Sequence, residues 1–296
     1  MQTDPKLIKG DTIALCATAR FVEQDIIDQA IYFIENLGYK VVLAENLSLR
    51  HHQMAGNDIS RAQAFQKLLL DTEVKAIWCL RGGFGGLRII DQINFDCLQS
   101  NPKLLIGFSD FTSILNHVAN LGVKSIHGPM PIQLSKLSAL AINSFKTILQ
   151  GENLGYNWPS NQYNKFGKAR GKLVGGNLSV LYSTIGSLSF PHLDGAILFL
   201  EDLDEYLYHI DRMLFALKRS GALKGLKGVV IGSFSDLHDH KIPFGQNIKE
   251  IILEFFDELE IPIAFNFPAG HQNDNRCLIL GEMTDLMVSE NSSTLK

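Results

Sequence analysis

The sequence predicts an α/β protein whose first half is built on a parallel sheet and whose second half is α+β. Short apolar runs alternate with segments of helical spacing as far as Leu149, the pattern of a parallel sheet covered on both faces. A serine, Ser109, stands on a turn between one such run and one such segment, where α/β proteins bind ligands. The alternation then stops in a stretch from Gly151 to Lys168, rich in Gly, Asn, Tyr, Ser and Lys, which is the expected boundary.

The elements follow in order. Residues 12–17 (TIALCA) read as a buried first strand, and Val22 to Leu37 places apolar residues at helical spacing, ended by Gly38. Residues 39–44 give a second strand, Ile59 to Leu70 a helix, and residues 74–80 (VKAIWCL) a strand that runs into the glycine-rich turn 81–86 (RGGFGG). Leu87 to Gln92 is a helix. The run 103–107 (KLLIG) is the strand that leads to Ser109 and the helix after it, followed by a strand at 124–127 and a helix near 140–149. Beyond the boundary come the segment 169–177 (ARGKLVGGN), an apolar run at 196–200 ending in Glu201, a helix from Tyr208 to Ser220, a strand at 228–232 and a helix from Ile248 to Leu259.

Composition narrows the function. The 296 residues are 46% hydrophobic and 20% charged, enough for one large domain or two moderate ones. A net charge of −4, from 27 basic and 31 acidic residues, favours neither nucleic acid nor an anionic membrane surface, so a small-molecule partner is expected. Cys16, Cys79, Cys97 and Cys277 are too far apart for a zinc knuckle or a disulfide framework, and read as reduced. No apolar stretch of signal-peptide or membrane-spanning length follows the N-terminus, and the expected location is cytoplasmic.

Four places carry chemistry. Ser109 is placed like a nucleophile, although a serine there also serves as an ordinary helix cap, and its flanks miss the G-x-S-x-G elbow. Turn 81–86 completes neither a dinucleotide fingerprint nor a phosphate loop; it reads as a tight turn or as one wall of an oxyanion hole beside Ser109. Glu201 opens the acidic run 201–205, either an orienting carboxylate at a strand end or a solvated loop. His271 lies in the Gly/Asn-rich loop 267–275, as a general base or an exposed side chain. His51-His52 and His238/His240 lack the further ligands of a zinc site, and His127 reads equally as a crevice residue or a structural one.

Together, 81–85 (RGGFG), 107–112 (GFSDFT), 127–129 (HGP), 171–178 (GKLVGGNL), 200–202 (LED), 210–214 (IDRML) and Gly270-His271 resemble the LD-carboxypeptidase family of serine peptidases, which includes the microcin C resistance peptidases. The resemblance implies a Rossmann-like, flavodoxin-like N-terminal domain (1–150), a linker (151–168) and a swivelling-like C-terminal domain (169–296). It implies Ser109 as nucleophile, His271 as base and Glu201 as the orienting acid, with Glu205 and Asp202 as alternative acids. Backbone N–H groups of Gly82, Gly83 and Asp110 would form the oxyanion hole.

The expected reaction is release of D-Ala from a murein tetrapeptide, L-Ala-γ-D-Glu-diaminopimelate-D-Ala, by a homodimer without metal or organic cofactor. A terminal carboxylate needs a basic anchor, and Arg81 and Arg212 are the candidates. The rival readings are a microcin-C-type peptidase acting on aminoacyl or peptidyl adenylates, with Tyr156, Trp158 and Tyr163 available for stacking, and a non-catalytic muropeptide binder. The chain departs from the family at 17–20 (ATAR), where a Pro-Ser pair is usual, and at 278–281 (LILG), where a proline is lost.

Overall fold

Alternating buried strands and amphipathic helices make the first half, as the pattern predicts. The computed structural model describes residues 6–296. Strand β1 (Thr12–Cys16) leads to α1 (Gln24–Asn36), which buries Ile27, Ala30 and Ile34 along one stripe and ends before Gly38. β2 (Lys40–Leu43) precedes α2 (Asp58–Leu70), whose N-cap Asn57 accepts the Ser60 amide at 2.8 Å. β3 (Val74–Cys79), α3 (Gly86–Ile89), α4 (Cys97–Ser100), β4 (Leu104–Gly107), α5 (Thr112–Asn120), β5 (Ser125–His127) and α6 (Ala139–Leu149) complete this half.

β1 to β5 are parallel and lie in the order 2-1-3-4-5, the flavodoxin-like arrangement that reverses between β1 and β3. The predicted α/β class and its parallel first sheet are thus observed. The sheet has a sixth strand from far along the chain: β11 (Leu278–Leu280) pairs antiparallel with β5.

In the second half, residues of the irregular stretch form β6 (Tyr156–Pro159), and β7 (Gly167–Asn177) follows. Next come α7 (Leu178–Ser183), β8 (Ala196–Leu203), α8 (Leu207–Arg219), β9 (Gly228–Ser235), α9 (Ile248–Phe256) and β10 (Ile263–Ala264). After β11, the hairpin β12 (Met283–Val288) and β13 (Ser292–Leu295) ends the chain. The second sheet runs β10-β9-β8-β7-β12-β13-β6, parallel from β10 to β7 and antiparallel beyond.

Alternation along β8 and β9 explains how the sheets meet. Ile197, Phe199 and Val230 point into a core shared with the first sheet, whereas Leu198, Leu200, Val229 and Ile231 point into a second core. α8 and α9 cover that second core with Ile210, Met213, Leu214, Ile251, Ile252 and Phe255. The central strands of the second sheet are therefore buried on both faces, whereas β12, β13 and β6 keep one face towards solvent. Polar contacts fasten the same seam: Asn116 of α5 donates to the Gly175 carbonyl at 2.8 Å and accepts the Gly175 amide at 2.9 Å. A Cβ on Gly176 would stand 2.7 Å from Thr112 Oγ1, so glycine is what lets β7 approach the start of α5.

Candidate active site

The turn after β4 throws Ser109 into an unusual conformation. Its φ of 59° lies in the left-handed region, which costs a non-glycine residue roughly 1–2 kcal/mol and persists only where the surroundings enforce it. Asp110 enforces it. Its buried carboxylate accepts the amides of Gly85 at 3.1 Å and Gly86 at 2.8 Å, tying the serine turn to the glycine turn after β3. Burial raises the Asp110 pKa, opposed by those two amides and by the charge of Arg61.

The two turns touch closely. A Cβ on Gly82 would meet Ser109 Oγ at 3.0 Å and the Asp110 amide nitrogen at 3.3 Å, so any larger residue would intrude on the hydroxyl. Among the described residues, the Gly82 and Gly83 amides have no hydrogen-bond acceptor. Arg61 sets the height of this ledge from below: fully buried, it donates to the carbonyls of Thr18 and of Gly85, the latter at 2.9 Å, and pairs with Asp58. Sequence reasoning missed Arg61, because a helical arginine reads as solvated surface. The carboxylate role of Asp110 was missed for another reason: its partners are backbone amides some 25 positions away.

Glu201 and His271 come from the second half. β8 slips register against β9 between Leu200 and Asp202, a local irregularity of the kind that re-aims side chains beside functional sites. Glu201 is fully buried, and its Oε2 lies 2.7 Å from His271 Nδ1. Burial favours the neutral acid, but the imidazoles of His271 and His127 hold the carboxyl below its ordinary range. His271 experiences the converse: burial works against its cation, Glu201 outweighs burial, and the pKa stands above the ordinary 6.5.

The alternative acids face elsewhere. Asp202 accepts Asn177 Nδ2 at 2.8 Å and the amides of Ser179 and Leu203, and burial together with the charge of Glu201 pushes its pKa up to about 7. Glu205 bonds His209. Glu201 is the carboxylate that meets His271.

Ser109, Gly82, Gly83 and His271 line one cleft of about 440 Å³, whose lining also includes Asp202, Asp204 and Glu205. The Phe108 ring, next to Ser109 in the chain, lies 4.7 Å from the His271 ring. His127 is buried behind them, 5.6 Å from Phe108 and 4.8 Å from Phe199, with neither ring nitrogen hydrogen-bonded. Asn275 pulls its pKa upward slightly, but the Asn275 amide is committed to Gly270 and Gln133, and no bond of good geometry reaches His127.

Several expected residues lie apart from this cleft. Arg212 stands 5.3 Å over the Tyr208 ring. Tyr156 and Trp158 are buried, donating to the carbonyls of Cys277 and Phe265, and Tyr163 accepts Asn247, so none of these aromatics lines the cleft. A separate cavity of about 450 Å³, between β9, α9 and residues 265–268, holds none of the predicted catalytic residues. Among the described residues no group of three or more His, Cys, Asp or Glu side chains is arranged to hold a metal.

Known proteins resemble this chain in sequence and fold. Residues 13–128 match the LD-carboxypeptidase N-terminal domain and residues 170–286 the LD-carboxypeptidase C-terminal domain. The probable murein peptide carboxypeptidase of Bacillus subtilis is 33% identical over 99% of this chain and 94% of its own length. The crystal structure of muramoyltetrapeptide carboxypeptidase from Oxalobacter formigenes superposes with a TM-score of 0.88 at 30% identity, covering 96% of this chain and 97% of that one. The microcin C7 self-immunity protein MccF of Escherichia coli is 25% identical over 93% of this chain and 90% of its length. This chain is an enzyme of the LD-carboxypeptidase family.

Proposed function

We propose that the enzyme is a serine carboxypeptidase that releases terminal D-Ala from murein tetrapeptide by cutting the bond between an L centre and the D residue. The observation that carries this reading is the 2.7 Å contact of His271 with fully buried Glu201, in the wall of the cleft that also holds Ser109. With Nδ1–H given to Glu201, the imidazole keeps its lone pair on Nε2. That nitrogen takes the Ser109 proton as Oγ attacks the scissile carbonyl.

Charge developing on the carbonyl oxygen falls to the amides of Gly82, Gly83 and Asp110. A donor of this kind is commonly worth about 10²–10³ in rate. The imidazolium, stabilised by Glu201, then gives its proton to the departing D-Ala nitrogen, and water resolves the acyl-enzyme with His271 again as base. Asp110 and Arg61 act on the reaction through position, holding the donors at the height of the hydroxyl.

The test is a side-by-side incubation of tetrapeptide and of a peptidyl adenylate with the wild type and with Ser109→Ala, read by mass spectrometry. D-Ala release by the wild type and none by the variant is the expected result. Turnover retained by Ser109→Ala removes the mechanism, and cleavage of the adenylate alone reassigns the substrate. No helix among the described residues is long and apolar enough to cross a membrane. The cytoplasmic homodimer that the family resemblance implies is tested by fractionation and light scattering.

A further inference from the structure

We propose that Arg20 and Arg81 together form the subsite that holds the free carboxylate of the substrate's C-terminal residue; this rests on the peptidase reading above. The topology places them first. Arg20 follows β1 and Arg81 follows β3, the two strands between which the order of the first sheet reverses, so both guanidinium groups stand at the crevice where such sheets take their ligands. Both line the cleft that holds Ser109 and His271.

Their lack of partners comes second. Arg88 and Arg61 are paired with Asp58, Arg50 with Glu23, Arg170 with Asp285 and Arg276 with Asp274. The side chain of Arg20 makes no hydrogen bond or ion pair among the described residues. Among the described residues Arg81 reaches only the Phe21 carbonyl, at 3.3 Å, and its buried Nε has no acceptor. Glu23, whose charge is felt by Arg81, is engaged by Arg50 at 2.7 Å. Two cations held side by side, one half-buried and both without a carboxylate, make a site that an anion completes.

Distance from the nucleophile comes third. In a carboxypeptidase the terminal carboxylate carbon lies within about 4 Å of the reacting carbon, so its anchor must stand one hydrogen bond beyond that, close to the turn that faces the nucleophile. Arg20 packs on that turn: a Cβ on Gly83 would touch its Cδ at 2.7 Å and its Nε at 2.9 Å, and a Cβ on the neighbouring Gly82 would meet Ser109 Oγ at 3.0 Å. The rest of the lining reinforces the orientation. Asp204 and Glu205 belong to the same cleft, and negative charge there favours a carboxylate placed at the arginines.

The test compares the tetrapeptide ending in D-Ala with the same peptide ending in D-alaninamide. For the wild type, kcat/KM favours the acid, and in Arg20→Gln and Arg81→Gln that preference falls by about ten- to a hundred-fold, the usual worth of a hydrogen bond to a charged group. The loss appears chiefly in KM, since the carboxylate is held alike in the ground and transition states, and Arg20→Lys restores part of it. Arg20 is exposed and unbonded, so its substitution leaves the fold intact even where Arg81→Gln lowers the melting temperature.

Equal acid and amide losses, or an unchanged ratio, overturn the subsite. Calorimetric binding of both peptides to Ser109→Ala gives an arm independent of turnover. There Arg20→Gln is expected to weaken the acid at least about ten-fold more than the amide. Acid and amide binding equally to Ser109→Ala also overturns the subsite. A wild type that cleaves neither peptide defeats the peptidase reading, and the binding arm still decides the carboxylate site.

Discussion

Replacing His127 with leucine is expected to make the protein less sensitive to mild acid. In the wild type, burial among Phe108 and Phe199 without a partner for either nitrogen lowers the His127 pKa from the ordinary 6.5 to about 4. Between those values the unfolded chain carries a proton on this residue and the native protein does not. Unfolding takes up that proton, so stability is fully present above pH 6.5 and falls as the pH drops, by up to about 1.4 kcal/mol per unit. Across the whole shift the loss is about 3 kcal/mol, complete near pH 4.

Urea denaturation of both proteins at steps from pH 7.5 to 4.5 measures it. Within the His271–Glu201 pair the histidine acts in the opposite sense: its raised pKa contributes stability below 6.5 and loses it as the pH rises through the native value. That pair titrates in both proteins, so the difference between the two curves, rather than either curve, carries the result. Leucine shifts the difference by a constant for its packing; the slope belongs to the imidazole. Parallel curves across the whole range refute the argument, because they mean that His127 keeps its charge or its partner in the native state.

Other expectations concern the cleft. Glu201→Gln is expected to lower kcat by about 10³–10⁴-fold by misplacing the imidazole tautomer, whereas Glu205→Gln, whose carboxylate serves His209, changes it little; steady-state D-Ala release distinguishes them. Ser109→Gly is expected to be more stable than Ser109→Ala by about 1 kcal/mol in chemical denaturation, since glycine accepts the positive φ without strain. Because Glu201 holds the His271 pKa above 6.5 and the base must be neutral, kcat/KM is expected to fall on the acid side of an apparent pKa above that value. A plateau reaching down to pH 5.5 contradicts that assignment.

Most of the first half was legible because its longer elements announce themselves locally, although the one-turn helix α4 was not read. Residues 74–79 are almost wholly buried and read as an apolar run interrupted by Lys75, and α1 shows its stripe of Ile27, Ala30 and Ile34 before a glycine stop. In the second half the cores of β8 and β9 were legible, as apolar runs at 196–200 and 228–232, but other strands were hidden. β7 changes from alternating exposure to full burial part-way along, and β10 and β11 are only two and three residues long. Pairing of β11 with β5 joins residues more than 150 positions apart, which no local periodicity encodes. Ser109, Glu201 and His271 were visible as residue types at strand ends and in a loop. What fixes their geometry was not: Asp110 and Arg61 act on backbone groups brought near only by folding, and Arg20 stood out in the sequence merely as a departure from the family pattern.

The loop that carries His271 leaves the second sheet at β10 and enters the first at β11. It is a strap sewn into both fabrics. A swing of one lobe away from the other would have to unpick β11 from β5 before the imidazole could drift from the hydroxyl, so the alignment proposed for them is insulated from breathing of the molecule. Admission of substrate then falls to the open mouth of the cleft and not to the seam.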